Sequence, residues 1–177
     1  MAELQYRIHG MNAEEIAKEI ETLRQRSSTF RAIEAAAIAK GYQTIDINMN
    51  AGVVDPKLSI ADSFQGQTGS DTWNIEIDSN ATGSWGVGGR QVTVGELIAH
   101  ELAHSVVPPA NQDPPGVIFT DGNGPAEMWV RQQTGNVANE LGFTGLNNGD
   151  VMVTVIPVSS IQAYLAVPDL AALRRAA

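Results

Sequence analysis

The segment Thr93-Val-Gly-Glu-Leu-Ile-Ala-His-Glu-Leu-Ala-His104 decides the local fold around which the rest of the chain can be arranged. Thr93 and Glu96 have the spacing of a T-x-x-E capping box, which marks the start of a helix. The Pro108-Pro109 pair marks its end, since the residue before a proline disfavours helical backbone. An apolar face is supplied by three residues, namely Leu97, Ile98 and Leu102. These signals predict a helix from Thr93 to about Val107.

Two histidines on this predicted helix indicate a metal site. His100 and His104 are four residues apart, so their side chains lie on the same helical face, one turn from each other. Zinc accepts neutral imidazole nitrogens, and a glutamate beside the first ligand can act as general base and then general acid. A core helix with two unrelated histidines is the alternative, but the chain has only 3 histidines in all. We therefore predict His100 and His104 as ligands and Glu101 as the general base.

A third metal ligand has to come from another part of the chain. The first candidate is Glu127, near the start of a second predicted helix that Pro125 opens and Gly142 closes. An acidic residue is also favoured there by the helix dipole alone, so the position has an ordinary explanation too. Glu140, near the far end of the same helix, is the second candidate. Three weaker candidates lie outside this helix: Asp113, Asp121 and His9.

The remaining patterns predict an α+β protein with a single domain over residues 1–177. A helix is predicted over 12–40, interrupted near Ser27-Ser28, with Asn12 and Glu15 as a capping-box-like pair. Alternating apolar residues predict half-buried strands over 42–50 and 72–78. A glycine-rich turn, a buried strand and a short helix are predicted over 79–89, 151–158 and 161–177. We expect a small twisted mixed sheet, mostly antiparallel, packed on the His100–His104 helix and a second ligand-bearing helix.

Composition excludes several classes of partner. The net charge of −9 opposes binding to phosphate backbones, so no nucleic-acid partner is expected. The absence of cysteine excludes disulfides and thiolate ligands. No apolar run is long enough for a transmembrane helix, and the first residues lack a secretory signal. We expect a soluble protein with no membrane partner, either cytoplasmic or exported by a dedicated secretion or injection system.

The HExxH stretch from His100 to His104 resembles that of the zincin peptidases, and within them the gluzincins, whose third ligand is glutamate. The order of elements is also similar to small bacterial effector and toxin-type zinc peptidases. This resemblance implies a Zn²⁺-dependent metalloendopeptidase in which Glu101 activates water for attack on a peptide bond. It also implies a protein or peptide substrate bound in extended form along the strand before the active-site helix. In this sequence, that strand is the one predicted over 72–78.

The resemblance is incomplete on the second predicted helix. Gluzincins often carry an aspartate four residues after the ligand glutamate, where it orients the first histidine, but Arg131 stands there in this sequence. The partner of His100 is then expected among four other residues: Asn136, Asn139, Glu140 and Asp121. An oxyanion stabiliser is also needed, and Tyr164, downstream of both helices, is our prediction. Arg131 and Tyr42 are the alternatives for that role.

Two other functions remain open from the sequence. The chain could be a catalytically silent metal-binding protein that serves as a structural or interaction component of a phage or secretion system. It could also be a metallohydrolase that does not cleave peptides, although no nucleotide- or lipid-binding pattern supports that choice. The run Gly86-Val-Gly-Gly-Arg90 lacks the Lys and Ser/Thr of a phosphate-binding loop, and we interpret it as a turn leading into the metal helix.

Overall fold

The computed structural model describes residues 3–10, 12–49, 61–66, 70–77, 85–87, 90–117 and 124–143. Over these residues the fold is α+β, with four α-helices and a small mixed sheet. The strands are β1 (Gln5–His9), β2 (Thr44–Asn48), β3 (Ala61–Gln65), β4 (Thr72–Ile77), β5 (Trp85–Val87) and β6 (Arg90–Val92). The helices are α1 (Ala13–Arg26), α2 (Ser28–Ala39), α3 (Val94–His104) and α4 (Pro125–Glu140), with a 3-10 turn at Pro109–Asn111. The predicted elements over 151–158 and 161–177 lie outside the described residues, as do Tyr164 and Asp121.

The main sheet has the strand order β1-β2-β4-β3. β1 pairs with β2, and β2 with β4, in parallel, whereas β3 pairs with β4 antiparallel. The prediction of a mixed sheet is confirmed, but the prediction that it is mostly antiparallel is wrong. The reason is the connection through α1 and α2, which carries the chain back so that β2 starts at the same end as β1.

The strand predicted over 72–78 is not the edge strand that we expected. β4 lies between β2 and β3 in the sheet, and β3 occupies the outer edge beside it. The residues of β3 come from a stretch rich in Gly, Pro, Ser and Asp, a composition typical of loops, and β3 is accordingly a short strand of five residues. Within the described sheet, a peptide could therefore add to the β3 side only by pairing with β3.

One face of the sheet forms the core with the helices. The alternation in β2 and β4 is confirmed, because Ile45, Ile47, Ile75 and Ile77 are fully buried. Helix α3 packs on β3 and β4 and also contacts the other three helices. Every residue from Val94 to Ala103 is buried in consequence. A helix enclosed on all sides places any polar side chain it carries in a low-dielectric setting.

The long N-terminal helix is divided at the predicted position. Ser27 has extended backbone, and its hydroxyl accepts a hydrogen bond of 2.9 Å from the Phe30 amide, so it caps α2. The capping pair predicted at Asn12 and Glu15 is wrong. Asn12 has a left-handed backbone with φ of 62° and its side chain makes no capping hydrogen bond. Asparagine tolerates that conformation better than most residues, so Asn12 serves the turn and not the cap.

Helix α2 is fixed at both ends to the helices that carry the candidate ligands. At its start, the Glu140 carboxylate of α4 accepts hydrogen bonds from the hydroxyls of Ser27 and Ser28 and, at 3.0 Å, from the Thr29 amide. At its end, Lys40 Nζ donates to the carbonyl oxygens of Ser105 at 3.0 Å and Val107 at 3.3 Å, just after α3. Helix α2 thus contacts both α3 and α4.

A short hairpin leads into α3. β5 and β6 pair antiparallel over three residues each, with Val87 opposite Arg90. The sequence predicted only a glycine-rich turn here, because three-residue strands are too short to show an alternating pattern. None of the helices described is long and apolar enough to cross a bilayer.

Candidate metal centre

The start of α3 is fixed by the predicted capping box. Thr93 Oγ1 accepts a hydrogen bond of 3.2 Å from the Glu96 amide, and the Glu96 carboxylate accepts one of 2.7 Å from the Thr93 amide. Both bonds satisfy amides that the first turn of a helix leaves without a partner. With the start fixed, His100 and His104 project from one face, and their ring centroids are 5.1 Å apart.

Glu127 of α4 completes a three-residue cluster with these histidines. Its Oε1 lies 3.5 Å from His100 Nε2, and its Oε2 lies 3.3 Å from His104 Nε2. The three donor groups each offer an atom within 4.8 Å of the others. Ligand atoms about 2.0–2.1 Å from a tetrahedral zinc ion are about 3.4 Å apart from one another. The spacing of the cluster therefore suits a divalent ion of that size.

The chemistry of the donor set also fits a metal ion. His100 is fully buried, and its Nε2 has no hydrogen-bond partner among the described residues. Leaving a buried polar nitrogen unpaired costs about 1–3 kcal/mol, and native proteins seldom do so without a reason. The side chains of His104 and Glu127 are 29% and 14% exposed, so the cluster opens to solvent on their side. Two imidazoles and one carboxylate form a ligand set used by catalytic zinc, with a further position left for water or substrate.

The position of Glu127 follows from how α4 begins. Pro125 occupies the first helical position, where its missing N–H is not needed. The next amide, of Ala126, donates to Asp113 Oδ1 at 3.0 Å. Asp113 therefore caps α4 from the preceding loop and is not found in the cluster. Glu127 falls in the first turn, facing α3.

Charge on Glu127 is stabilised by its surroundings. Burial raises the pKa of this carboxyl, but the imidazoles of His100 and His104 outweigh burial and hold the pKa well below its usual range. Arg131 Nε also donates to Glu127 Oε1 at 2.9 Å, and the arginine side chain is only 3% exposed. The carboxylate is therefore ionised at neutral pH, which is the form that binds a cation.

The other candidate ligands lie elsewhere in the fold. The Glu140 carboxylate accepts hydrogen bonds from the residues at the start of α2, as described above. His9 is exposed on β1, where its Nε2 lies 3.0 Å from Asp46 Oδ1. Of the candidates within the described residues, Glu127 is the one that the fold brings to His100 and His104.

The partner of His100 is a residue that the sequence analysis missed. His100 Nδ1 lies 3.2 Å from Thr134 Oγ1, within the core. This contact corrects our expectation of Asn136, Asn139 or Glu140 in that position. Glu127, Arg131 and Thr134 lie at helical spacing i, i+4 and i+7, so they share one face of α4. That spacing was the available signal, but a threonine at a buried helical position is too common to identify a role.

Glu101 lies beside the cluster and is tied to the sheet through its backbone. Its side chain is buried, and no hydrogen bond or ion pair of its carboxylate is seen within the described part of the chain. Trp73 Nε1 of β4 donates to the Glu101 carbonyl oxygen at 3.1 Å, which fixes α3 against the sheet at this residue. Trp73 is thus a core residue.

The two alternative oxyanion stabilisers, Tyr42 and Arg131, are both engaged in other contacts. Tyr42 packs edge to face on Trp73, with ring centroids 5.6 Å apart, and none of its described contacts is with His100, His104 or Glu127. Arg131 is engaged with Glu127. The predicted stabiliser, Tyr164, is outside the described residues.

Comparison with known proteins adds no further assignment to this geometry. Neither the protein-family models, nor the curated proteins, nor the solved structures gave a match to the chain. The observation on which function has to be judged is therefore the cluster itself: a His100–His104–Glu127 group that could hold a metal ion.

Proposed function

We propose that the protein is a zinc-dependent metalloendopeptidase with a zincin-like, glutamate-ligand site. One observation carries the proposal: His100, His104 and Glu127 offer three ligand atoms within 4.8 Å of one another, directly beside the buried Glu101. The same four residues are the ones that the HExxH pattern and the second helix predicted. A structural zinc site is a weaker interpretation, because structural sites usually have four protein ligands.

The roles of the residues follow from their positions. Held by His100, His104 and Glu127, zinc supplies a Lewis acid that polarises a carbonyl and acidifies water. Glu101 takes a proton from the attacking water and transfers it to the leaving amine, so it serves first as base and then as acid. Its carboxylate is suited to this because no described side chain occupies it.

Strand β3 is the proposed site of substrate pairing. Among the strands that the structure describes, it is the outer one beside β4, and α3 contacts it. An extended peptide that pairs with this edge would bind through main-chain hydrogen bonds, which tolerate many side chains. This arrangement replaces the one expected from the sequence, in which β4 had the edge position.

Zinc content tests the metal part of the proposal. We would measure metal by elemental mass spectrometry in wild type, Glu127→Ala and Glu140→Ala, each purified without chelators and exposed to zinc. Glu140→Ala is the matched control, since it removes the same side chain from the same helix away from the cluster. We expect about one zinc per chain in wild type and the control, and loss in Glu127→Ala. Wild-type protein that takes up no zinc would overturn the proposal.

Cleavage of a peptide library tests the catalytic part. Glu101→Gln should keep its zinc and lose activity by about 10²–10⁴-fold, the usual contribution of a general base. A Glu101→Gln variant as active as wild type would remove Glu101 from the mechanism. Zinc-loaded wild type that cleaves no peptide in the library would favour the catalytically silent metal-binding protein instead.

A further inference from the structure

The two ring nitrogens of His100 have different surroundings. Nδ1 lies 3.2 Å from Thr134 Oγ1, while Nε2 lies 3.5 Å from Glu127 Oε1 and has no described hydrogen-bond partner. A neutral imidazole carries one proton, on one nitrogen or the other. Which nitrogen carries it decides whether His100 can offer a lone pair to the cluster, because a metal binds only the unprotonated nitrogen.

The hydroxyl of Thr134 indicates which ring nitrogen of His100 carries the proton. Thr134 Oγ1 lies 3.0 Å from the Val130 carbonyl oxygen, four residues earlier on α4. Of the two groups that could accept the single hydroxyl hydrogen of Thr134, the Val130 carbonyl is the nearer, at 3.0 Å against 3.2 Å for His100 Nδ1. We therefore assign that hydrogen to Val130. Toward His100 the hydroxyl oxygen can then act only as an acceptor. With this assignment the Nδ1 atom of His100 is the donor, and in the neutral ring Nε2 keeps its lone pair.

We propose that Thr134 is a positioning residue that fixes His100 in the tautomer protonated on Nδ1, with Nε2 directed at Glu127 and His104. The purpose of this arrangement rests on the proposed metal site, but the tautomer itself does not. Thr134 thereby takes over the orienting task that the gluzincin resemblance assigns to an aspartate at the position of Arg131. A neutral hydroxyl does so without placing a second negative charge beside the buried histidine.

A purely structural role for Thr134 leads to different expectations. In that case the hydroxyl only occupies the Val130 carbonyl and fills space between α3 and α4, and its removal would change stability without changing the proton on His100. Thr134→Val removes the oxygen but keeps a branched side chain of nearly the same shape. Thr134→Ser keeps the oxygen and serves as the matched control.

Nitrogen NMR of the metal-free protein tests the tautomer directly. The histidines would be labelled with ¹⁵N, observed at alkaline pH where imidazole is neutral, and assigned with His100→Gln. We expect His100 to be protonated on Nδ1 in wild type and Thr134→Ser, and to shift toward protonation on Nε2 in Thr134→Val. Protonation of the wild-type ring on Nε2 would overturn the proposal even if Thr134→Val does not fold. An unchanged tautomer in folded Thr134→Val would do the same.

Zinc affinity, measured by competition with a chromophoric chelator, supplies the second readout. Loss of an outer-shell partner of a ligand histidine typically costs 10–100-fold in affinity, so we expect a loss of about that size in Thr134→Val and little change in Thr134→Ser. If the tautomer is as expected but no variant binds zinc, the proposed function fails and the role of Thr134 stands. If zinc binds and peptides are cleaved with no Thr134 dependence of the tautomer, only this inference fails.

Discussion

Two glutamates at opposite ends of α4 show how the same side chain acquires different roles. Glu140 accepts hydrogen bonds from the Ser27 and Ser28 hydroxyls and from Thr29. Glu127 accepts one from Arg131 and otherwise faces two imidazoles at 3.3–3.5 Å. Burial raises the pKa of each carboxyl, and in each case its partners outweigh burial and lower it below the usual value.

The two carboxylates differ in the kind of group that faces them and in the distance to that group. Around Glu140 the donors are neutral and at hydrogen-bond length, so the carboxylate is saturated and acts as a structural link. Around Glu127 the imidazole nitrogens stand slightly beyond a typical N–H···O distance, and one of them has no described hydrogen bond. That spacing fits an ion between the groups better than direct bonds among them. Residue type and helical position are shared, and only the facing residues separate the two roles.

The largest expected effect comes from neutralising Glu127. Glu127→Gln keeps the size of the side chain but removes the charge that a divalent ion needs, so zinc affinity should fall well beyond the roughly 100-fold loss seen for outer-shell partners. Glu140→Gln should leave zinc affinity unchanged. Chelator competition on both variants measures this, and equal losses would mean that the two carboxylates do not differ in the way described.

The free energy of unfolding, unlike zinc affinity, should depend on Glu140. Glu140→Ala leaves four donors at the start of α2 without their acceptor, namely the hydroxyls of Ser27, Ser28 and Thr29 and the Thr29 amide. We therefore expect the free energy of unfolding to fall by about 2–3 kcal/mol. Urea unfolding followed by circular dichroism gives the value. Glu21→Ala is the control: its carboxylate contacts only Gln25 among described hydrogen bonds, and it should cost less than about 0.5 kcal/mol. A loss at Glu140 no larger than at Glu21 would contradict the structural role.

Substitutions of Arg131 should change zinc affinity by a smaller factor, and the direction of the change distinguishes two roles for this residue. If Arg131 positions the Glu127 carboxylate through Nε, both Arg131→Lys and Arg131→Met should weaken zinc binding by about 10-fold. If its positive charge matters most, Arg131→Met should tighten binding by removing repulsion and Arg131→Lys should change little. Affinity measured together with the free energy of unfolding separates these outcomes from a general loss of folding.

The smallest expected effect is the pH dependence of the contribution that Glu140 makes to the free energy of unfolding. Because folding lowers the pKa of Glu140, its contribution is fully present above the unfolded-state pKa of about 4.3 and is lost as pH falls through the folded-state value. The stability gap between wild type and Glu140→Gln should therefore be constant near neutral pH and narrow below about pH 4. A gap that widens on acidification would show that another group is responsible.

Local signals in the sequence were sufficient to predict the three residues of the His100–His104–Glu127 cluster. The capping box at Thr93, the spacing of His100 and His104, and Pro125 before Glu127 all act within one or two helical turns. Their consequences could therefore be predicted without knowledge of the fold. The alternation in β2 and β4 was equally local and gave the buried face correctly.

Long-range pairing could not be predicted in the same way. The parallel registry of β1 with β2, and the position of β3 outside β4, depend on connections that no short pattern records. The contact of Thr134 with His100 depends on how α3 and α4 pack, and the two residues are 34 positions apart in the chain. The capping error at Asn12 is of a different kind, because Asn12 has a left-handed backbone that the spacing of Asn12 and Glu15 does not reveal.

Helix α2 contributes no residue to the His100–His104–Glu127 cluster, but because it is attached at both ends it controls the geometry of that cluster. The first turn of α2 is hydrogen-bonded to Glu140 of α4, and Lys40, just after its last turn, is hydrogen-bonded to the residues that follow α3. The length of α2 therefore sets the distance between α3 and α4, the two helices that carry the cluster. One residue inserted in α2 would lengthen it by about 1.5 Å and rotate one end by about 100° relative to the other. If both attachments were kept, the insertion would displace α3 relative to α4 and so move His100 away from its present position beside Glu127. Substitutions within α2 should therefore disturb the cluster less than an insertion or deletion that changes the length of this helix.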